Sequence, residues 1–181
     1  MTQPTLETLR LKLRPFSLSD ARDVMRLAGD RDIADTTLNI PHPYADGMAE
    51  SWIETHKSGY ETDSSVTFAV VLRDGACLVG AIGLTIDRRF NKAELGYWTG
   101  RPYWNKGYAT EAAKAVVEFG FSDLRLNRIY ARHLARNPSS GRVMEKIGMQ
   151  EEGIARQDLM KWEEYEDMVL YGILLEDWKR A

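Results

Sequence analysis

The sequence is poor in the residues that most often announce a chemistry. A single cysteine, Cys77, cannot form an internal disulfide in these 181 residues, and no histidine lies near it in sequence to mark a nucleophile. It begins an apolar run, so a buried, inert thiol is expected there. The scattered histidines, His42, His56 and His133, show no metal-ligand spacing, and no metal is expected. No block of one charge sign stands out. The 24 basic and 27 acidic residues are spread along the chain for a net charge of −3, which argues against nucleic acid or a membrane surface as partner. Every hydrophobic stretch is interrupted by Lys, Arg, Asp or Glu well short of the roughly 20 residues that cross a bilayer. The segment Met1 to Arg10 is too polar for a signal peptide, so a cytoplasmic location is expected. There is no Pro/Gly/Ser-rich linker and no internal repeat, which leaves one domain over residues 1–181.

What is present suffices for a core, with 44% hydrophobic and 10% aromatic residues. From Thr8 to Arg14 apolar and charged residues alternate with the period of a half-buried strand, and Pro15 ends it. Ser17 to Asp20 offers a capping box, followed by Ala21, Val24, Met25, Leu27 and Ala28 at helical spacing. Asp30 to Gly47 lacks periodicity and contains Pro41-His42-Pro43-Tyr44, so a loop is expected, leading into a helix over 48–59. Two strands around Asp74-Gly75, from Val66 and from Cys77, form a hairpin, and a third strand runs from Ala93 to Thr99. Ala109, Ala112, Ala113, Val116, Val117 and Gly120 share one face of a helix from Gly107 to about Phe121. A strand from Arg128, a short helix from Asn137-Pro138 to Gly148, and strands over 149–160 and 165–175 complete an α/β order.

The most informative stretch is Gly96 to Thr110, where a strand ends, a polar turn follows and a helix begins. The first N–H groups of a helix lack internal partners and carry the positive end of its dipole, so this is a place for an anion. Gly107 permits close approach of the backbone, and Ala109 is small enough not to obstruct it. Neither the P-loop spacing nor Gly-x-Gly-x-x-Gly is present. On these residues alone, an ordinary turn before a helix is an equally good reading.

Glu94-Leu-Gly-Tyr-Trp, then Trp104-Asn-Lys-Gly-Tyr-Ala-Thr-Glu-Ala, then Asn137-Pro-Ser-Ser and Val143-Met-Glu-Lys-Ile-Gly-Met resemble the GNAT superfamily of N-acetyltransferases. Within it the sequence is most similar to the ribosomal-protein N-terminal acetyltransferase (RimJ/RimL) group, which also suits Thr8 to Pro15, Pro43-Tyr44 and Asp167-Met-Val-Leu-Tyr. The resemblance implies a single mixed, mostly antiparallel sheet of about seven strands flanked by about four helices. It also implies acetyl-coenzyme A as cosubstrate. Its pyrophosphate would be held by N–H groups of Asn105, Lys106, Gly107, Tyr108, Ala109 and Thr110, and its pantetheine arm by Tyr97, Trp98 and Thr99. The family loop usually opens with Gln or Arg where this chain has Trp104, so main-chain donors after Trp104 are expected to do the binding. Asn105 is among the few non-glycine residues that accept a positive φ.

Acetyl transfer needs an amine without its proton and a proton for the departing thiolate. Glu94, at a strand end beside the loop, is the candidate base, acting through a water; a solvent-facing Glu paired with a nearby Arg is the bland alternative. Ser140 shares the inward face of Val143, Met144 and Ile147, and the resemblance makes it the proton donor to the thiolate; satisfying local backbone is its alternative role. Asn137 precedes Pro138 as a helix cap, and kinship adds a pantetheine contact. His133 is expected to be a hydrogen-bonded strand histidine and the next base to test. His42, Tyr44 and Trp162 are candidate acceptor-site residues, and the turn around Trp162 could instead pack a homodimer. The expected acceptor is a protein N-terminal amine. A polyamine, an aminoglycoside, an amino acid, or a non-catalytic acetyl-coenzyme A sensor are the alternatives.

Overall fold

In the computed structural model, which describes residues 2–75 and 77–180, eight strands form one open sheet. They are β1 (Leu6–Glu7), β2 (Leu11–Arg14), β3 (Ser65–Leu72), β4 (Leu78–Asp87), β5 (Lys92–Thr99), β6 (Arg128–Leu134), β7 (Gln150–Lys161) and β8 (Glu164–Leu174). The order across the sheet is β1-β2-β3-β4-β5-β6-β8-β7, and every neighbouring pair is antiparallel except β5 and β6. The count exceeds the expected seven because the strand read over 8–14 begins only at Leu11, and Leu6–Glu7 pair with it as a separate short strand. Thr8 turns back to donate its N–H to Leu11 O at 2.9 Å, which separates the short β1 from β2.

The helices are α1 (Ala21–Ala28), α2 (Arg31–Thr36), α3 (Met48–Glu61), α4 (Tyr108–Ser122), α5 (Pro138–Lys146) and α6 (Leu175–Trp178). The expected capping box forms between Ser17 and Asp20, where Asp20 also holds Arg14 at 2.7 Å. Helix α2 lies inside the stretch expected to be a loop. Its six residues bury only Ile33 and Ala34, too few for a periodic signal, and Asp30 starts it by accepting from Asp32 N at 2.9 Å. Cys77 is exposed in the β3–β4 turn, a correction to the buried thiol expected there.

The sheet is covered on both faces. Phe68, Leu84, Leu95 and Ile129 pack against Ala113, Val116 and Val117 of α4 on one side, and Trp98, Ala81 and Val71 pack against Val24, Leu27 and Ile53 of α1 and α3 on the other. Each large side chain removed from water in this way contributes about 1.5–3 kcal/mol. Alternation along β5 therefore sends Leu95 and Tyr97 toward α4, and Glu94 and Trp98 toward α1 and α3. No helix among the described residues is long and apolar enough to cross a membrane.

His56 is buried between Phe16 and Trp52 with neither ring nitrogen hydrogen-bonded. Burial lowers its pKa from 6.5 to about 4. The unfolded chain thus takes up the proton first, so this stability is complete above pH 6.5 and is lost as the pH falls toward 4, by about 3 kcal/mol in the limit. Urea unfolding of H56L should consequently change less between pH 7 and pH 4.5 than that of the wild type; equal losses would show that His56 is not the group responsible.

Candidate active site

Strands β5 and β6 pair only over Lys92 to Glu94 with Arg128 to Tyr130. Beyond that point β5 stays on β4 as far as Thr99, while β6 stays on β8 as far as Leu134. Two neighbouring strands of one sheet thus diverge, and the main chain of β5 from Leu95 onward has no strand partner on its β6 side. Two cavities meet at this divergence, of about 500 and about 520 Å³, sharing Thr36, Thr37, Tyr97, Trp98 and Ser140.

The first cavity lies against the start of α4. Gly107 has φ of 79° and Asn105 φ of 60°, so the turn uses the left-handed region twice before the helix begins. Of the residues expected to bind the cofactor, Tyr97, Trp98, Thr99, Asn105, Gly107, Tyr108, Ala109, Thr110 and Asn137 line this cavity. Lys106 does not. Its carbonyl accepts from Arg10 Nη1 at 2.9 Å, and its ammonium lies 5.7 Å from the centre of the Tyr103 ring. Trp104 donates through Nε1 to Thr99 O at 2.5 Å, closing the end of β5 onto the turn. Asn137 sits at the N-cap of α5, but its side chain makes no capping bond and reaches Thr36 O at 3.4 Å instead.

The charged residues lining this cavity are Arg136, Arg142 and Lys146, with no carboxylate among them. Arg136 is occupied by Asp35 at 2.7 Å and Glu166 at 2.6 Å, whereas Arg142 donates to Ser139 Oγ at 2.8 Å. Arg142 and Lys146 stand one turn apart on α5, opposite the α4 start, and were not singled out in sequence; their four-residue spacing from each other is the signal that could have found them. A helix start with free N–H groups, a glycine beside it and a wall of positive charge fit a di- or triphosphorylated ligand.

The second cavity has a different character. Its wall is largely apolar, with Ile40, Tyr44, Met48, Trp52 and Leu95, and its charged residues are Glu94 and Arg132. Arg132 Nε donates to Glu94 Oε1 at 2.9 Å and approaches Asp158 at 3.7 Å, while Tyr130 OH reaches Glu94 Oε2 at 3.4 Å. Tyr44 faces this space. His42 does not, being exposed with Nδ1 at 3.3 Å from Gly29 O. Trp162 also lies outside, donating to Asp35 Oδ1 at 3.1 Å beside the shared Thr36 and Thr37. His133 donates from Nδ1 to Leu134 O at 2.8 Å, leaving a buried Nε2 without a partner. That nitrogen faces α5 at Gly141, while His133 itself also lines this second cavity.

At the junction the Tyr97 hydroxyl lies 2.8 Å from Ser140 Oγ and 3.1 Å from Ser140 O. Burial pushes the Tyr97 phenol up to about 12, against the opposing hydrogen bond from Ser140, so it remains a proton donor at neutral pH. Strand alternation alone does not reveal that the Tyr97 side chain reaches Ser140. Among the described residues, no group of three or more His, Cys, Asp or Glu could hold a metal ion.

The acetyltransferase (GNAT) domain family matches residues 10–150. An uncharacterised N-acetyltransferase of Bacillus subtilis, YnaD, is 34% identical over 174 residues, covering 96% of this chain and 98% of its own. The [Ribosomal protein uS5]-alanine N-acetyltransferase of Escherichia coli is 27% identical over 127 residues, covering 69% of this chain and 63% of its own. The crystal structure of a GNAT-family acetyltransferase from Bacillus anthracis superposes with a TM-score of 0.85 at 29% identity, covering 96% of this chain and 99% of that one. With a domain match across most of the chain and a divergent β5/β6 pair beside a positively charged helix start, this protein belongs to the GNAT acetyltransferase family and is an acetyl-coenzyme A-dependent N-acetyltransferase.

Proposed function

We propose that the acceptor is the α-amine at a polypeptide N-terminus, such as that of a ribosomal protein, attacked while both substrates are bound. The observation that carries this reading is the charge content of the acceptor cavity, whose one carboxylate, Glu94, is already paired with Arg132. Polyamines and aminoglycosides bring several ammonium groups, each of which needs a counter-charge when desolvated. An N-terminus brings one. The apolar wall around Tyr44 and Trp52 suits a small side chain beside that amine, and the Escherichia coli relative, named for an alanine of a ribosomal protein, supports the same class.

When bound, acetyl-coenzyme A supplies a thioester. In this reading the N–H groups of Gly107 to Thr110, with Arg142 and Lys146, hold its phosphates, and the unpaired edge of β5 from Leu95 to Thr99 holds the pantetheine arm. Glu94 Oε1 is oriented by Arg132, leaving Oε2 to draw the proton from the amine through a water. An α-amine, with a pKa near 8 rather than the roughly 10.4 of lysine, asks little of such a base. Ser140 Oγ gives its proton to the departing sulfur and takes one from the Tyr97 hydroxyl, which is reprotonated from water once the thiol leaves.

Thiol release from acetyl-coenzyme A tests the acceptor class. Peptides with a free N-terminal Ala or Ser should show a kcat/KM at least about tenfold above that of spermidine or of N-blocked peptides carrying lysine, the preference expected from one unmatched buried charge. On the best peptide E94Q should lower kcat with acetyl-coenzyme A affinity unchanged. A preference for spermidine would overturn the reading.

A further inference from the structure

The break between β1 and β2 has a purpose beyond ending a strand. The bend at Thr8 to Arg10 leaves the sheet and meets Glu111 on the first turn of α4. The Glu111 carboxylate accepts from Thr8 Oγ1 at 2.6 Å, from Arg10 N at 2.7 Å and from Arg10 Nε at 2.7 Å. Arg10 Nη1 continues to the Lys106 carbonyl at 2.9 Å, and its guanidinium carbon lies 4.7 Å from the centre of the Tyr108 ring. A Cβ at Gly107 would stand 3.3 Å from Arg10 Nη2. One side chain thus grips the outside of the turn whose inside lines the cofactor cavity.

The electrostatics sharpen this geometry. An acid in the first turn suits a helix dipole by itself, but a pyrophosphate seeks the same positive end. A charged Glu111 beside that site repels a phosphate unless a cation covers it. Burial of the carboxyl is outweighed by its bonds from Thr8 and Arg10, which hold it below the usual range, so Glu111 is charged at neutral pH. Arg10 is the cation in contact with it, at 2.7 Å.

We propose that Arg10 is a positioning residue for the coenzyme: it holds the Lys106 to Tyr108 turn in its left-handed shape and neutralises Glu111, so that the start of α4 attracts a pyrophosphate. This rests on acetyl-coenzyme A binding at that turn.

The test is calorimetric titration of acetyl-coenzyme A into wild type, R10M and the double variant R10M/E111Q, with kcat measured at saturating donor. R10M should bind about tenfold more weakly, the loss of a charge-assisted hydrogen bond, with kcat and the acceptor KM unchanged. Removing the uncovered acid in R10M/E111Q should bring affinity back to within about threefold of wild type, a recovery that a merely structural loss would not show. If R10M does not fold, R10K serves instead. It keeps the charge but loses the fork to Lys106, so binding should weaken by about threefold, and unchanged binding would overturn the proposal. R10M binding within twofold of wild type would overturn it, as would a double variant no tighter than R10M. A wild-type chain that did not bind acetyl-coenzyme A would instead refute the cofactor site itself, a result distinct from wild type and R10M binding alike.

Discussion

Replacing Gly107 with valine should weaken acetyl-coenzyme A binding by more than tenfold, while Trp104→Gln should weaken it much less. Gly107 has φ of 79°, where an L side chain costs about 1–2 kcal/mol and a β-branched one more. Each 1.4 kcal/mol is tenfold in affinity when the strained shape is the one that binds. The valine Cβ would also press on Arg10 Nη2, so relief of strain would come by moving the turn away from the shape that faces the cavity. Trp104 touches the turn from its other end. Its loss removes the bond to Thr99 O, but it leaves the N–H groups of 107–110 where they are. Direct titration of acetyl-coenzyme A into both variants decides the matter, and a weaker-binding W104Q would show that the tryptophan side chain, not the main chain, carries the site.

The elements whose signal is local were legible in the sequence. The β3–β4 hairpin follows from Asp74-Gly75 between two β-branched runs, and α4 follows from six small or apolar residues on one face. What was not legible depends on distant partners. The continuous strand over 8–14 failed because Thr8 and Arg10 are drawn to Glu111, about a hundred residues away, and alternation cannot report such a pull. Helix α2 failed for the opposite reason: with fewer than two turns, it has too few buried residues to show a period.

The site divides in the same way. The turn itself was readable because a helix start, a glycine and a residue tolerant of positive φ are neighbours in sequence. The divergence of β5 from β6 was not, since it is a property of how far a parallel pairing extends between segments about 35 residues apart. The pairing of Glu94 with Arg132, the outward placement of His42 and Trp162, and the cationic wall of Arg142 and Lys146 all depend on that same tertiary arrangement. The result is a cleft with positive charge lining one cavity and a largely apolar wall in the other, the two sharing Thr36, Thr37, Tyr97, Trp98 and Ser140.

Because Ser140 and Tyr97 are the hydroxyl groups bonded to each other at that junction, they should behave as one unit. Ser140→Ala should lower kcat by about a hundredfold, the low end of what a positioned acid contributes, with acetyl-coenzyme A affinity nearly unchanged. Tyr97→Phe removes the hydroxyl 2.8 Å from Ser140 Oγ but leaves the serine proton in place, so its loss should be smaller, about tenfold. If Tyr97 acts by replenishing Ser140, the double variant should be no slower than S140A, since a relay broken at its last member gains nothing from the first. Additive losses would mean that each hydroxyl meets the thiolate separately. With the Tyr97 phenol pushed up to about 12, any fall in kcat between pH 7 and 9 belongs to another group, so the wild-type and Y97F profiles should have the same shape over that range. An alkaline limb that vanishes in Y97F would place the titrating proton on the tyrosine and require a phenol far more acidic than its burial allows.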